Sequence, residues 1–417
     1  MRTVNKIAMA ILLSLCGTSL VVSPVAMAKK GDCPIDNRKS QAVGERSAKK
    51  VQRSFKAYTD GNLDEAIAIL LEASPRAKFD KAYVARMLGN FYAEKGDMKK
   101  ATKHLKTAVD SNILGGVDHA GTIRLYADLL LQEKQFTEAI PYYYEWMKFT
   151  CKQEAIVYRR IGIAYTEQKN WNKVIEVANQ GIAISAKPDK GLYQMKLTAY
   201  FSLKQNRNAV KVLETMVPLF PEDGRLWVQL AQFYLLTEDY TKSLATFDLA
   251  YKNGFLDTAG NIIRLAQLLA QQGVPYQAAN IFEKHINSGL IEKDAKNLKS
   301  LASFYHQAKN LDKAANYYGQ AAELSHDGEL YLKQGRLLSV EREYTAAIPV
   351  FKKALSVGIK NSGEAQFELA LAYLGLKKYK SAYKYANLAI KDKKTERNAK
   401  SYVSYIKEKA RIHKVTL

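Results

Sequence analysis

Apolar and small residues recur along this chain at spacings of three, four and seven, which places them on one face of a helix. They fall into a fixed frame. A small residue, preceded by an acidic or polar pair and followed by aliphatics, stands at Ala66, Ala101, Ala139, Val174, Ala209, Ser243, Ala278, Ala314, Ala347 and Ala382. The intervals are 35, 38, 35, 35, 34, 35, 36, 33 and 35 residues. Twelve places earlier most units have another small residue, as at Gly89, Ala127, Ala231 and Gly335, and three places after that a Tyr or Leu, as at Tyr92, Tyr234 and Tyr305. Four places after the second small residue comes a larger apolar one, such as Leu105, Phe247 or Phe351. Turn signals such as Lys95-Gly96-Asp97 lie between.

Each unit therefore reads as a helix hairpin. The two small positions let antiparallel helices approach closely, and the aromatic of the first helix fills the gap against the second. One hairpin cannot bury its apolar face alone, so it stacks on its neighbours. Ten such units are expected over 47–392, after a lead-in over 29–46 and before a basic capping helix and tail over 393–417, whose Tyr402, Tyr405 and Ile406 share one side. In the first unit Ser54 and Ala57 replace the small residue and the aromatic. In the fifth, Leu197 takes the first small position, which predicts a looser hairpin.

The period, with Trp227, Leu230-Ala231, Tyr234, Ser243, Phe247 and Ala250 in one unit, resembles the tetratricopeptide repeat. The resemblance implies an all-α, right-handed superhelical solenoid of antiparallel hairpins with a C-terminal capping helix. Most of the 26 Tyr are then packing residues.

The start of the chain follows different rules. Arg2 and Lys6 precede an apolar run over 7–22, and Ala26-Met27-Ala28 supplies small residues for cleavage. This is the pattern of a secretory signal peptide over 1–28, cut after Ala28. The mature chain would hold 389 residues and a net charge of +20, against +22 for the whole, and its expected location is the periplasm. Cys33 and Cys151 survive the cut. In an oxidising compartment they either pair or stay as two free or intermolecular thiols. Cys33 falls in a lead-in expected to be flexible.

A surplus of 63 Lys and Arg over 41 Asp and Glu invites a nucleic-acid reading, which export undercuts. The six His show no metal-ligand spacing, and there is no Gly-rich phosphate loop, nucleophile elbow or CxxC pair. The expectation is a non-enzymatic chain without metal, cofactor or small-molecule substrate. Binding is the remaining role. In a stack of such repeats the fifth and ninth positions of each first helix line the inner groove. They are Arg86 and Asn90, then Arg124 and Asp128, then Arg159, with Lys296, Lys299, Lys333 and Arg336 as a second basic patch. Arginine pairs bidentately with carboxylates, so this groove is expected to take an acidic or C-terminal peptide segment of a partner. The Arg86/Asn90 pair resembles the Lys/Asn pair with which some repeat domains hold a partner's terminal carboxylate.

The chain also resembles a narrower family, the exported repeat proteins associated with TonB energy-transduction systems of Gram-negative bacteria. The segments are Cys33-Pro34 with 38–46, then 79–86, Phe233-Tyr234-Leu235-Leu236 and 248–252. That resemblance implies a scaffold in a TonB-type inner-membrane complex. The alternatives are a scaffold for envelope or pilus assembly, and a binder of anionic polymer such as lipopolysaccharide or nucleic acid. Salt separates the last from the others, because polymer binding weakens steeply with salt. The stretch 391–417 carries nine basic residues against three acidic. It reads as a solvated cap, or as a peripheral contact with an anionic membrane surface.

Overall fold

The computed structural model describes residues 33–417. The expected signal peptide over 1–28 and the first residues of the lead-in lie outside the described residues. Among the described residues there are 22 helices and no strand. A short α1 (Pro34–Asn37) precedes ten consecutive pairs. These are α2 (Glu45–Thr59) and α3 (Leu63–Leu71), α4 (Lys78–Lys95) and α5 (Met98–Ser111), α6 (Gly116–Gln132) and α7 (Phe136–Thr150), α8 (Ala155–Glu167) and α9 (Trp171–Ile184), and α10 (Lys190–Ser202) and α11 (Asn206–Leu219). There follow α12 (Gly224–Leu236) and α13 (Tyr240–Lys252), α14 (Ala259–Gln271) and α15 (Pro275–Asn287), α16 (Ala295–Gln307) and α17 (Leu311–Ser325), α18 (Gly328–Val340) and α19 (Tyr344–Val357), and α20 (Ser362–Gly375) and α21 (Tyr379–Ala389). A last helix, α22 (Glu396–Ile412), ends the series.

The chain divides into two compact units, the first ending at Leu203 and the second beginning at Lys204. The boundary lies inside the fifth repeat, the one whose first small position is filled by Leu197. From α2 to α10 and from α11 to α22 each helix packs on the next, and first helices of neighbouring repeats also touch, α8 on α10 and α18 on α20.

The packing follows the sequence frame. All ten second small positions, from Ala66 to Ala382, have a relative exposure of 0%. A Cβ built on Gly89 would lie 2.5 Å from Leu105 Cγ, and one on Gly335 would lie 2.5 Å from Phe351 Cε1. The first small position of a hairpin thus meets the large apolar residue of its second helix. Serine serves the same crossing by another route. The Ser54 hydroxyl donates to the Ala66 carbonyl at 2.7 Å, and Ser243 donates to Ala231 at 2.8 Å, so each buried hydroxyl is satisfied.

The lead-in is docked, contrary to the expected flexible segment. Helix α1 packs on α6 and α7. The Gly116 amide donates to the Arg38 carbonyl at 3.0 Å, Arg38 Nη1 donates to Asn112 Oδ1 at 2.7 Å, and the Gly44 amide donates to the buried Asp80 carboxylate at 3.0 Å. A disulfide joins Cys33 to Cys151, with the two Cα atoms 5.8 Å apart. These ties hold the segment on the second and third repeats.

Candidate functional site

The first helix of each repeat carries the residues at issue, and its start is fixed locally. Asp189 caps α10 by accepting from the Gly191 amide at 2.9 Å, and Asn361 caps α20 by accepting from the Glu364 amide. Capping brings a side-chain oxygen to the start of α10 and α20, while α6 and α8 start without a side-chain cap, α6 with Asp118 in its first turn and α8 with Glu154 just before it. The cap oxygen, or an acidic residue in or just before the first turn, lies where the preceding repeat presents its arginine.

The arginines are consequently paired. Arg86 Nη1 lies 3.0 Å from Asp118 at the start of α6. Arg124 Nη1 donates to Glu154, which precedes α8, at 2.8 Å. Arg159 Nη1 lies 3.7 Å from Asp189, which precedes α10. In the second unit Arg336 donates through Nη2 to Glu364 and through Nε to Glu368, both at 2.8 Å. Each guanidinium reaches one repeat forward, so the arginines form a row of links between neighbouring first helices. Two also lie over rings, Arg124 over Trp146 at 4.8 Å and Arg86 over Tyr83 at 4.9 Å.

Asp128 has a different setting. It accepts from the Tyr143 hydroxyl at 2.7 Å and lies 2.9 Å from Arg160 Nη1. Burial pushes its carboxyl up, against the charge-favouring pull of Tyr143 and Arg160. Asn90 is half-buried, and its amide has no hydrogen-bond partner among the described residues. Lys296 and Lys299 are exposed on α16. Lys333 is exposed, with its ammonium 5.6 Å from the Tyr318 ring. Arg336 lines a groove of the second unit with Tyr344, Tyr402, Tyr405, Lys409 and His413.

The structure therefore places the predicted residues on the first helices, with most of the arginine charge opposed by a carboxylate. Sequence reasoning missed those carboxylates, Asp118, Glu154, Asp189, Glu364 and Glu368. The signal is an acidic residue 28 to 32 places after each arginine, at or just before the next first helix. It also missed His119, which is 1% exposed beside Phe149, with its ring centroid 5.0 Å from that of the phenyl. Burial and the nearby Arg38 charge push its imidazole down to about 4. Among the described residues no group of His, Cys, Asp and Glu is arranged to hold a metal ion. No described helix is long and apolar enough to cross a membrane.

The family model for the tetratricopeptide repeat matches residues 332–397. No curated protein sequence matches the chain. Among solved structures, the chain is similar to MamA, with 20% identity over 43% of this chain and 96% of that one and a TM-score of 0.34. It is similar to the TPR2AB domain of yeast Sti1 in its pHSP90 complex, with 16% identity over 61% and 98% and a TM-score of 0.33. It is also similar to YrrB, a TPR protein with an unusual peptide-binding site, with 15% identity over 49% and 99% and a TM-score of 0.35. Residues 332–397 thus match the tetratricopeptide repeat by sequence, and the same period and helix pairing continue on the N-terminal side of that stretch.

Proposed function

We propose that this chain is an exported scaffold of the periplasm. It would hold an acidic or C-terminal segment of a partner protein along its first helices, as a component of a TonB-type energy-transduction complex. The observation that carries the binding role is the row of Arg86, Arg124 and Arg159, set one repeat apart on stacked first helices. Stacked helical repeats present extended surfaces of this kind to partners. A guanidinium has five N–H donors, and its link to the next repeat occupies only part of that capacity. The Cys33–Cys151 disulfide supports an oxidising compartment, in line with the signal pattern over 1–28. The TonB assignment is supported by the family resemblance of the sequence.

The test has to separate binding from stacking, because reversing an arginine also opposes it to a carboxylate. In Arg124→Glu, partner capture and stability both fall. Adding Glu154→Arg restores the pair with its charges exchanged and recovers the melting temperature. Capture by the exchanged variant stays at least tenfold weaker if Arg124 meets the partner. Capture equal to the parent's removes this row from the binding surface.

A further inference from the structure

The last two helices hold a disproportionate share of the charge. Over 377–417 thirteen Lys and Arg stand against three Asp and Glu, so 41 residues carry ten of the 22 net positive charges. Two of the three carboxylates are already occupied, Glu396 by Lys400 at 2.6 Å and Glu408 by Arg411 at 2.8 Å.

The cations are ordered in rows. Helix α22 buries Ala399, Val403, Ile406 and Ala410. Outside that stripe it exposes Arg397, Lys400, Lys407 and Arg411, of which Lys400 and Arg411 hold Glu396 and Glu408 and Lys407 lies 5.6 Å from the Tyr383 ring of α21. Helix α21 buries Tyr379, Ala382, Ala386 and Ala389 and exposes Lys380 and Lys384, and Lys391 is exposed just past its end. The two helices pack together, so the rows lie on neighbouring helices. Apolar groups stand beside them: Tyr405 is 50% exposed, Ile412 56% and Leu417 42%. A cap that only keeps a stack soluble needs a polar surface of mixed sign. This one is strongly biased to positive charge and has amphipathic margins.

We propose that this end of the chain docks on a bilayer of anionic phospholipid, with the lysine and arginine rows against headgroup phosphates and Tyr405 and Ile412 at headgroup depth. Charge complementarity identifies the occupant. Basic clusters on an amphipathic helix are drawn to anionic leaflets, and tyrosine favours the membrane–water boundary. Lys377 and Lys409 line the groove beside Arg336, but Lys380, Lys384, Arg397, Lys400 and Lys407 lie outside it on exposed positions of two helices, which matches an extended anionic surface better than a single acidic peptide. The surface is separate from the arginine row of the first unit.

The test is co-sedimentation of the full chain with vesicles of phosphatidylcholine mixed with phosphatidylglycerol, and with vesicles of phosphatidylcholine alone. The chain should sediment with the mixed vesicles only and be released in about 0.5 M salt, where screening reaches only a few ångströms. Combining Lys380→Glu, Lys384→Glu and Lys391→Glu should weaken binding by about tenfold or more with unchanged helicity. Combining Lys99→Glu, Lys103→Glu and Lys134→Glu in the first unit should leave it intact. Equal binding to both vesicle types, equal loss in both variants, or binding to duplex DNA or polyglutamate with none to vesicles would overturn the proposal.

Discussion

At ten turns, one between the two helices of each repeat, the backbone passes through the left-handed region, with φ between 56° and 84°. The residues are Gly61, Gly96, Lys134, Lys169, Lys204, Glu238, Gly273, Lys309, Arg342 and Lys377, each five places before the second small position. Only three are glycine, so the turn was legible where Gly96 stands and hidden where lysine does. A side chain in this region costs about 1 kcal/mol. Gly96→Ala should therefore lower stability by about 1 kcal/mol. Gly121→Ala, in mid-helix α6 with open space around the added methyl, should raise it by roughly 0.5–1 kcal/mol. Urea midpoints check both. His119 was not legible, because its burial depends on the docked lead-in. Its folded value lies near 4, below the ordinary 6.5, so the unfolded chain takes up the proton first. Its contribution to stability is full above pH 6.5 and is lost as pH falls towards 4, by up to about 3 kcal/mol. His119→Phe should flatten that part of the curve of denaturation midpoint against pH.

Between elements, two kinds of link recur. Within a hairpin, a lysine eight places after the core tyrosine lays its ammonium over the ring: Lys100 on Tyr92 at 5.2 Å, Lys242 on Tyr234 at 5.3 Å and Lys313 on Tyr305 at 4.7 Å. At the last of these, Glu283 accepts from Tyr305, Tyr317 and Lys313. Burial alone would raise its carboxyl, and these three donors bring it below the usual range. Between repeats, the arginine–carboxylate pairs do the linking. They are partly exposed, so each is worth about 1 kcal/mol at most. Arg124→Glu and Glu154→Arg should each destabilise by about that much, and the double variant should recover most of the loss, as a double-mutant cycle of unfolding free energies would measure. The hairpins were legible because small and large residues alternate at fixed distances. The links were legible only on their arginine side, because a single-helix reading does not compare a residue with one a repeat away.

At the scale of the molecule, the period runs unbroken through the boundary between the units, so the repeat count was legible and the division was marked only by Leu197. The net charge reads differently once partners are known. Carboxylates oppose the arginines of the first helices, while the cations of 377–417 are mostly exposed. The disulfide spans 118 residues and closes a loop around the first three repeats. Replacing both cysteines by serine should destabilise the first unit by about 2–5 kcal/mol, seen as a lower guanidinium midpoint. We propose that this stack of helix hairpins is exported and holds a protein of a TonB-type complex. Affinity capture on the chain from periplasmic extract tests it most directly. The predicted result is retention of a component of that complex, lost in the variant with Arg124 and Glu154 exchanged. A chain absent from the periplasm, or one that retains no such component there, would contradict the account.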